Sequence, residues 1–146
     1  DNTVSLANYL TGFAEEFLDA ARVACRVRMT SPIPDWPLPA HVRHQLFLAV
    51  KEALNNAVRH GEAREVIFQM EWRENILEIT IQDRGKGFDA MPSAGGHDLR
   101  NFQERLAGIH GRCSVSSRPG QGTTVKFFVP LEPARVKELP PPATLM

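Results

Sequence analysis

The chain has 146 residues, 42% of them hydrophobic and 23% charged, with seventeen basic residues balanced by seventeen acidic ones. That is the makeup of one globular domain with a single core, and it excludes the overall basicity that marks nucleic-acid or anionic-membrane binding. Apolar runs such as LFLAV at 46–50 fall far short of the roughly 20 residues that span a bilayer, and the start DNTVSLANYL shows no signal-peptide pattern, so a soluble chain is expected.

In chain order, residues 4–24 carry Leu6, Leu10, Phe13, Phe17 and Ala21 at helical spacing, which predicts an amphipathic first helix with that stripe on the core. CRVRMT alternates Cys25, Val27 and Met29 against Arg26, Arg28 and Thr30, the pattern of a half-buried strand. The four prolines of SPIPDWPLPA forbid regular structure there. A second helix is expected from about residue 40 to His60, introduced by Pro39 and stopped by Gly61.

EVIFQMEW and ILEITIQ alternate with period two around Glu74-Asn75 and predict a hairpin. A glycine-containing segment from Asp83 to His97 leads to a third helix at roughly 98–110, ended by Gly111, and RCSVSS and TTVKFFVPL form a second hairpin about RPGQG. The proline-rich segment 132–146 reads as a disordered tail, leaving one domain over 1–131. Helices interspersed with hairpins predict an α+β fold: a two-layer sandwich with a mixed, mostly antiparallel sheet covered on one face by three helices. Cys25 and Cys113 have no metal-like or CxxC spacing and read as buried free thiols, which favours a cytoplasmic location.

The stretch EALNNAVRHG at 52–61 is the first with a chemical character. At about 100° per residue, Glu52, Asn55, Asn56, Arg59 and His60 share one face of the second helix, while Val50, Leu54 and Ala57 lie opposite. Asparagine is a mediocre helix former, so two in succession suggest that neutral amide oxygens are wanted. Such oxygens are hard ligands suited to Mg²⁺. A carboxylate one turn earlier can polarise a hydroxyl, imidazole or water, and Arg59 and His60 can meet phosphate charge. DRGKGF at 83–88 follows a strand end, where glycines admit close backbone approach and an aspartate can accept from an exocyclic amine.

KEALNNAVRH, DRGKGF, GGHDLRNFQERLAGIHGR and PGQGTTVKFFVPL resemble, in order and spacing, the ATP-binding catalytic domain of sensor histidine kinases. These belong to the GHKL ATPase superfamily with its Bergerat fold, and the likeness is to kinases with a glutamate-type asparagine box. The resemblance covers residues 5–131. It implies that Asn56 ligates Mg²⁺, with Asn55 in support, that Glu52 is the catalytic base or polariser, and that Arg59 and His60 contact the triphosphate. It further implies that Asp83 recognises adenine, that Gly85 and Gly87 shape its pocket, that Gly96 and Leu99 belong to the ATP lid, and that Thr123 lies near adenine.

On that resemblance the cofactors are ATP and Mg²⁺, and the γ-phosphoryl group goes to a histidine on an upstream dimerisation domain that this chain does not contain. A response regulator is the downstream partner, and the parent is a homodimeric, membrane-bound bacterial sensor with this portion in the cytoplasm. No nucleic-acid or membrane contact by this portion is implied. The lid departs from the family pattern GxGLxNM: Asp98 replaces a glycine, where it can cap the third helix, and Phe102 replaces the methionine. The departure leaves a second reading, a degenerate nucleotide-binding or protein-interaction module of the same fold without turnover. Another member of the superfamily, such as an anti-sigma-factor serine kinase, is a third.

Overall fold

The computed structural model describes residues 2–29, 32–60, 62–85 and 92–131, the side chains of 92–99 excepted. The elements are α1 (Thr3–Ala20), β1 (Ala24–Met29), α2 (Ala40–Arg59), β2 (Glu65–Arg73), β3 (Ile76–Asp83), α3 (Pro92–Ala107), β4 (Arg112–Ser117) and β5 (Thr123–Pro130). The strands form one sheet in the order β1-β2-β3-β5-β4. β1 runs parallel to β2 and every other neighbouring pair is antiparallel, so the expected mixed sheet with two hairpins is the observed one.

All three helices pack on the same face, with α2 in the middle over β3, flanked by α1 and α3. The period-two residues Val66, Phe68 and Met70 of β2, Leu77, Ile79 and Ile81 of β3, and Val125, Phe127 and Val129 of β5 turn to that face and are buried. The opposite face carries ion pairs, with Glu65 between Arg26 (2.8 Å) and Arg84 (3.1 Å) and Glu78 within 3.7 Å of Lys126. This is the division of an antiparallel sheet with one face on the core and one toward water.

α1 ends earlier than the sequence suggests, at Ala20, and Arg22 takes a left-handed backbone conformation before β1. Its buried face is Leu6, Ala7, Leu10, Ala14 and Leu18, not the predicted stripe through Phe13 and Phe17. Those two rings are half-buried and turn toward α2, where Phe13 meets Phe47 edge-on at 4.9 Å and Phe47 lies 5.4 Å from Tyr9. The helix packs on the sheet below and on α2 beside it, so it needs two apolar faces; the alanines allow the closer approach.

The proline connector has little regular structure, as expected, yet it is held firmly. The Asn2 side chain caps α1 by accepting from the Ser5 N–H at 2.8 Å. Thr3, fully buried, donates its hydroxyl to the Pro34 carbonyl and accepts from the Trp36 N–H at 3.0 Å, while its own N–H reaches the Trp36 carbonyl at 2.9 Å.

α3 differs most from expectation. It begins at Pro92, not near residue 98, so Gly95, Gly96 and Asp98 lie within it and Asp98 is not its N-cap. Proline suits a first helical position because its missing N–H is unpaired there in any case. The glycines show no break in the backbone bonding, at a propensity cost of about 1 kcal/mol each relative to alanine. The helix ends at Ala107, and the left-handed residue beyond it is His110, not Gly111. Gly111 is required for a different reason: a Cβ there would come within 2.9 Å of the Phe128 carbonyl oxygen. Gly61, Gly87 and the segment 132–146 lie outside the described residues.

Candidate functional site

The candidate site is built where β3, β4 and β5 end or begin on one edge of the molecule. β3 terminates in Asp83, which pairs in register with Thr123 at the start of β5; Thr123 in turn pairs with Ser117, the last residue of β4. Asp83 is 6% exposed. Its Oδ1 accepts from the Gly85 N–H at 2.9 Å and from the Thr123 N–H at 3.2 Å. The first of these is the turn an aspartate makes with the amide two residues on. Burial pushes the Asp83 carboxyl above the ordinary carboxylate range, and the two amide donors offset that only in part. Among the described residues, Oδ2 of this buried group has no protein donor.

Thr123 contributes to this corner through its backbone. Its hydroxyl lies 2.7 Å from the Ser117 hydroxyl, which also lies 3.1 Å from the Gly122 carbonyl oxygen. Ser117 is buried and was not singled out in the sequence. Two serines at a strand end carry no spacing signal, and only the register across β4 and β5 reveals the contact. Gly122 has φ +79°, and a Cβ on it would sit 2.2 Å from the Asp83 carbonyl oxygen. Of the two glycines in PGQG it is therefore the one that fixes the site, because Gly120, at φ +80°, has open space around it.

α2 brings its polar face to the same end of the sheet. The helix finishes at Arg59, the Ala63 N–H returns to the Ala57 carbonyl at 3.1 Å, and β2 begins at Glu65 with Val66 opposite Asp83. Val50, Leu54 and Ala57 are buried, as the helical wheel requires, while Glu52, Asn55 and Asn56 are half-buried and Arg59 and His60 exposed. Glu52 and Asn55 line a cavity of about 290 Å³ with Phe17, Leu48 and Lys51. Glu52 also faces α3, where the Arg105 guanidinium lies 3.8 Å from its Oε1.

The structure thus gathers Asp83, Gly85 and Thr123 into one hydrogen-bonded corner and places Glu52, Asn56, Arg59 and His60 on one helix that ends beside it. Gly96 lies within α3; Gly87 and the Leu99 side chain lie outside what is described. Among the described residues no cluster of three or more His, Cys, Asp or Glu gathers for a metal, so a cation here would draw on the α2 amides and on ligand oxygens. Phe102, the departure from the methionine of the lid pattern, is a core residue, 1% exposed and edge-on to Phe127 at 5.2 Å. Both cysteines are free, as expected, but only half-buried; burial still pushes the Cys113 thiol up to about 12 and raises that of Cys25. No helix among the described residues is long and apolar enough to cross a membrane.

Comparison with known proteins gives a consistent picture. Over 102 residues the chain is 33% identical to an uncharacterized sensor-like histidine kinase of Chloroflexus aurantiacus, covering 65% of this chain and 17% of that protein. Over 94 residues it is 33% identical to the signal transduction histidine-protein kinase/phosphatase DegS of Brevibacillus brevis, covering 64% of this chain and 24% of that one. The chain therefore spans a quarter or less of these two relatives' length. The histidine kinase domain of the Erythrobacter litoralis EL346 blue-light activated histidine kinase superposes with a TM-score of 0.69 at 25% identity, over 86% of this chain and 61% of that structure. A family model described as histidine kinase-, DNA gyrase B-, and HSP90-like ATPase matches residues 41–133. That match takes in α2, Asp83 and Thr123 and covers more than half of the chain, which therefore belongs to this ATPase family.

Proposed function

We propose that this domain binds ATP between α2 and the end of β3, and supplies the γ-phosphoryl group to a histidine on a dimerisation domain of a sensor kinase. The observation that carries the reading is Asp83: a carboxylate buried at a strand end, one oxygen fixed by two backbone amides and the other without a protein donor among the described residues. A carboxylate in so buried a setting, with donors on one oxygen alone, is stabilised by a further donor on the other, and the exocyclic amine of adenine is such a donor.

The roles along α2 follow from the order of its polar face. Asn56 offers an amide oxygen to Mg²⁺, with Asn55 beside it, and Arg59 and His60, exposed at the helix end, meet phosphate oxygens. When bound, Mg²⁺ neutralises the charge developing on the phosphates. Glu52, one turn before Asn56, accepts a hydrogen bond from one imidazole nitrogen of the substrate histidine while the other attacks the γ-phosphorus; the bond to the β–γ bridging oxygen breaks, and ADP leaves with the electron pair. Phosphoryl transfer depends chiefly on such positioning and charge stabilisation. In the parent sensor, the phosphohistidine passes its phosphoryl group to a response regulator, and the dimerisation domain makes the kinase a homodimer.

Isothermal titration of the domain with Mg-ATP tests the nucleotide reading. The wild type binds, while D83N and N56A lose most of the affinity with their unfolding transitions intact. Absence of binding by the wild type, or binding indifferent to Asp83, would overturn it.

A further inference from the structure

Arg105 stands out because its placement is not that of a solvated helix residue. On α3, Phe102 and Leu106 face the core, and Arg105 lies at the edge of that stripe on the side turned to α2. Its Nε is buried and has no hydrogen-bond partner among the described residues, while Nη2 reaches to 3.8 Å from Glu52 Oε1, the two side chains being 30% and 25% exposed. That distance exceeds the roughly 2.7–2.9 Å of a charge-assisted hydrogen bond. The guanidinium is therefore drawn between two helices by one carboxylate without being locked to it, and it retains unused donors in a fixed planar fork.

We infer that Arg105 is a positioning residue for Glu52, holding the carboxylate from the α3 side so that its other oxygen faces the incoming imidazole. The inference rests on the reading of Glu52 as the group that orients the phosphoacceptor. Its consequence is a link between two parts of the site: Arg105 belongs to the same helix as Gly95 and Gly96, so a shift of α3 on nucleotide binding changes the Glu52–Arg105 distance. A defined three-centre arrangement of guanidinium, carboxylate and imidazole depends on how α3 packs on α2. Small misplacements of a reacting group are enough to cost up to about 100-fold in rate, which makes a loosely held carboxylate a sensitive point of control.

The test uses the kinase that carries this domain together with its phosphoacceptor histidine, comparing R105Q, R105K, E52Q and the R105Q/E52Q double variant. R105Q is expected to slow phosphotransfer at saturating ATP by about tenfold or more while leaving the KM for ATP and the thermal unfolding midpoint near wild type. R105K, which keeps the charge but not the fork, recovers part of the rate and serves as the probe should R105Q unfold. In the E52Q background, R105Q adds no further loss, because the two residues act as a unit. Equal losses from R105Q with and without E52Q, or a change confined to KM or to unfolding, would overturn the inference while leaving the role of Glu52 standing. Undiminished transfer by E52Q would instead remove the reading on which it rests, and the inference with it.

Discussion

Gly122 and Asp83 are packed so that any side chain on the glycine would collide with the aspartate's own backbone: a Cβ would stand 2.2 Å from the Asp83 carbonyl oxygen and 3.1 Å from its carbonyl carbon. The turn between β4 and β5 thus presses on the residue whose carboxylate forms the centre of the candidate site. Main-chain contact at this range is insensitive to rotamer changes and can be relieved only by moving a strand end.

G122A is expected to destabilise the domain by about 2–5 kcal/mol, combining a left-handed backbone penalty with overpacking against Asp83. G120A has the same sign of φ but open space around it, and should cost only about 1–2 kcal/mol. Urea unfolding of the two variants checks the contrast, and similar losses would count against it.

D83N should separate stability from binding. The folded-state pKa of Asp83 is raised, chiefly by burial, so the folded protein holds this proton more tightly than the unfolded chain. Its contribution is fully present below the unfolded value near 3.8 and is lost as pH rises through the folded value. At neutral pH the ionised carboxylate is therefore a net burden. Asparagine retains an oxygen for the Gly85 and Thr123 amides, so D83N should unfold at higher denaturant than wild type at pH 7 while losing ATP. Its advantage should shrink as pH falls into that window, and an advantage that grows with acid would contradict the sign.

F102A should destabilise by about 3–5 kcal/mol, since Phe102 is fully buried and edge-on to Phe127. Thermal or chemical unfolding measures this. A loss well below 1 kcal/mol would mean that the C-terminal half of α3 does not seat on the sheet.

Cys113 should resist alkylation at pH 8, where burial keeps its thiol protonated with a pKa of about 12. Because the folded value lies above the unfolded 9.0, this group's contribution is intact below pH 9 and is lost as pH rises toward 12, by up to about 1.4 kcal/mol per pH unit. Relative to C113A, the wild type should weaken between pH 9 and 11 in urea titrations. Parallel curves would exclude the thiol as the cause.

The hairpins, the asparagine helix and its division into buried and polar faces were legible because period-two and period-3.6 patterns report directly which side of an element meets the core. Phe13 and Phe17 were misplaced on α1 because a helix that packs on the sheet below and on α2 beside it has two apolar faces, and a single stripe cannot rank them. The start of α3 was missed because Gly95-Gly96 reads as a loop in isolation; the backbone there is helical nonetheless. Ser117 and Arg105 were invisible for a different reason. Each acquires its role from a partner distant in sequence, Ser117 through the β4–β5 register and Arg105 through the packing of α3 on α2.

Thr3 holds the chain at Pro34 and Trp36, a short way before α2 begins at Ala40. Those bonds close α1, β1 and the connector into a ring whose seam lies just ahead of the helix that carries Glu52 and Asn56. The first turn of α1 and the start of that helix are therefore separated by only a few proline-stiffened residues. The approach to α2 is thus moored to the start of α1, and the mooring is a single buried threonine.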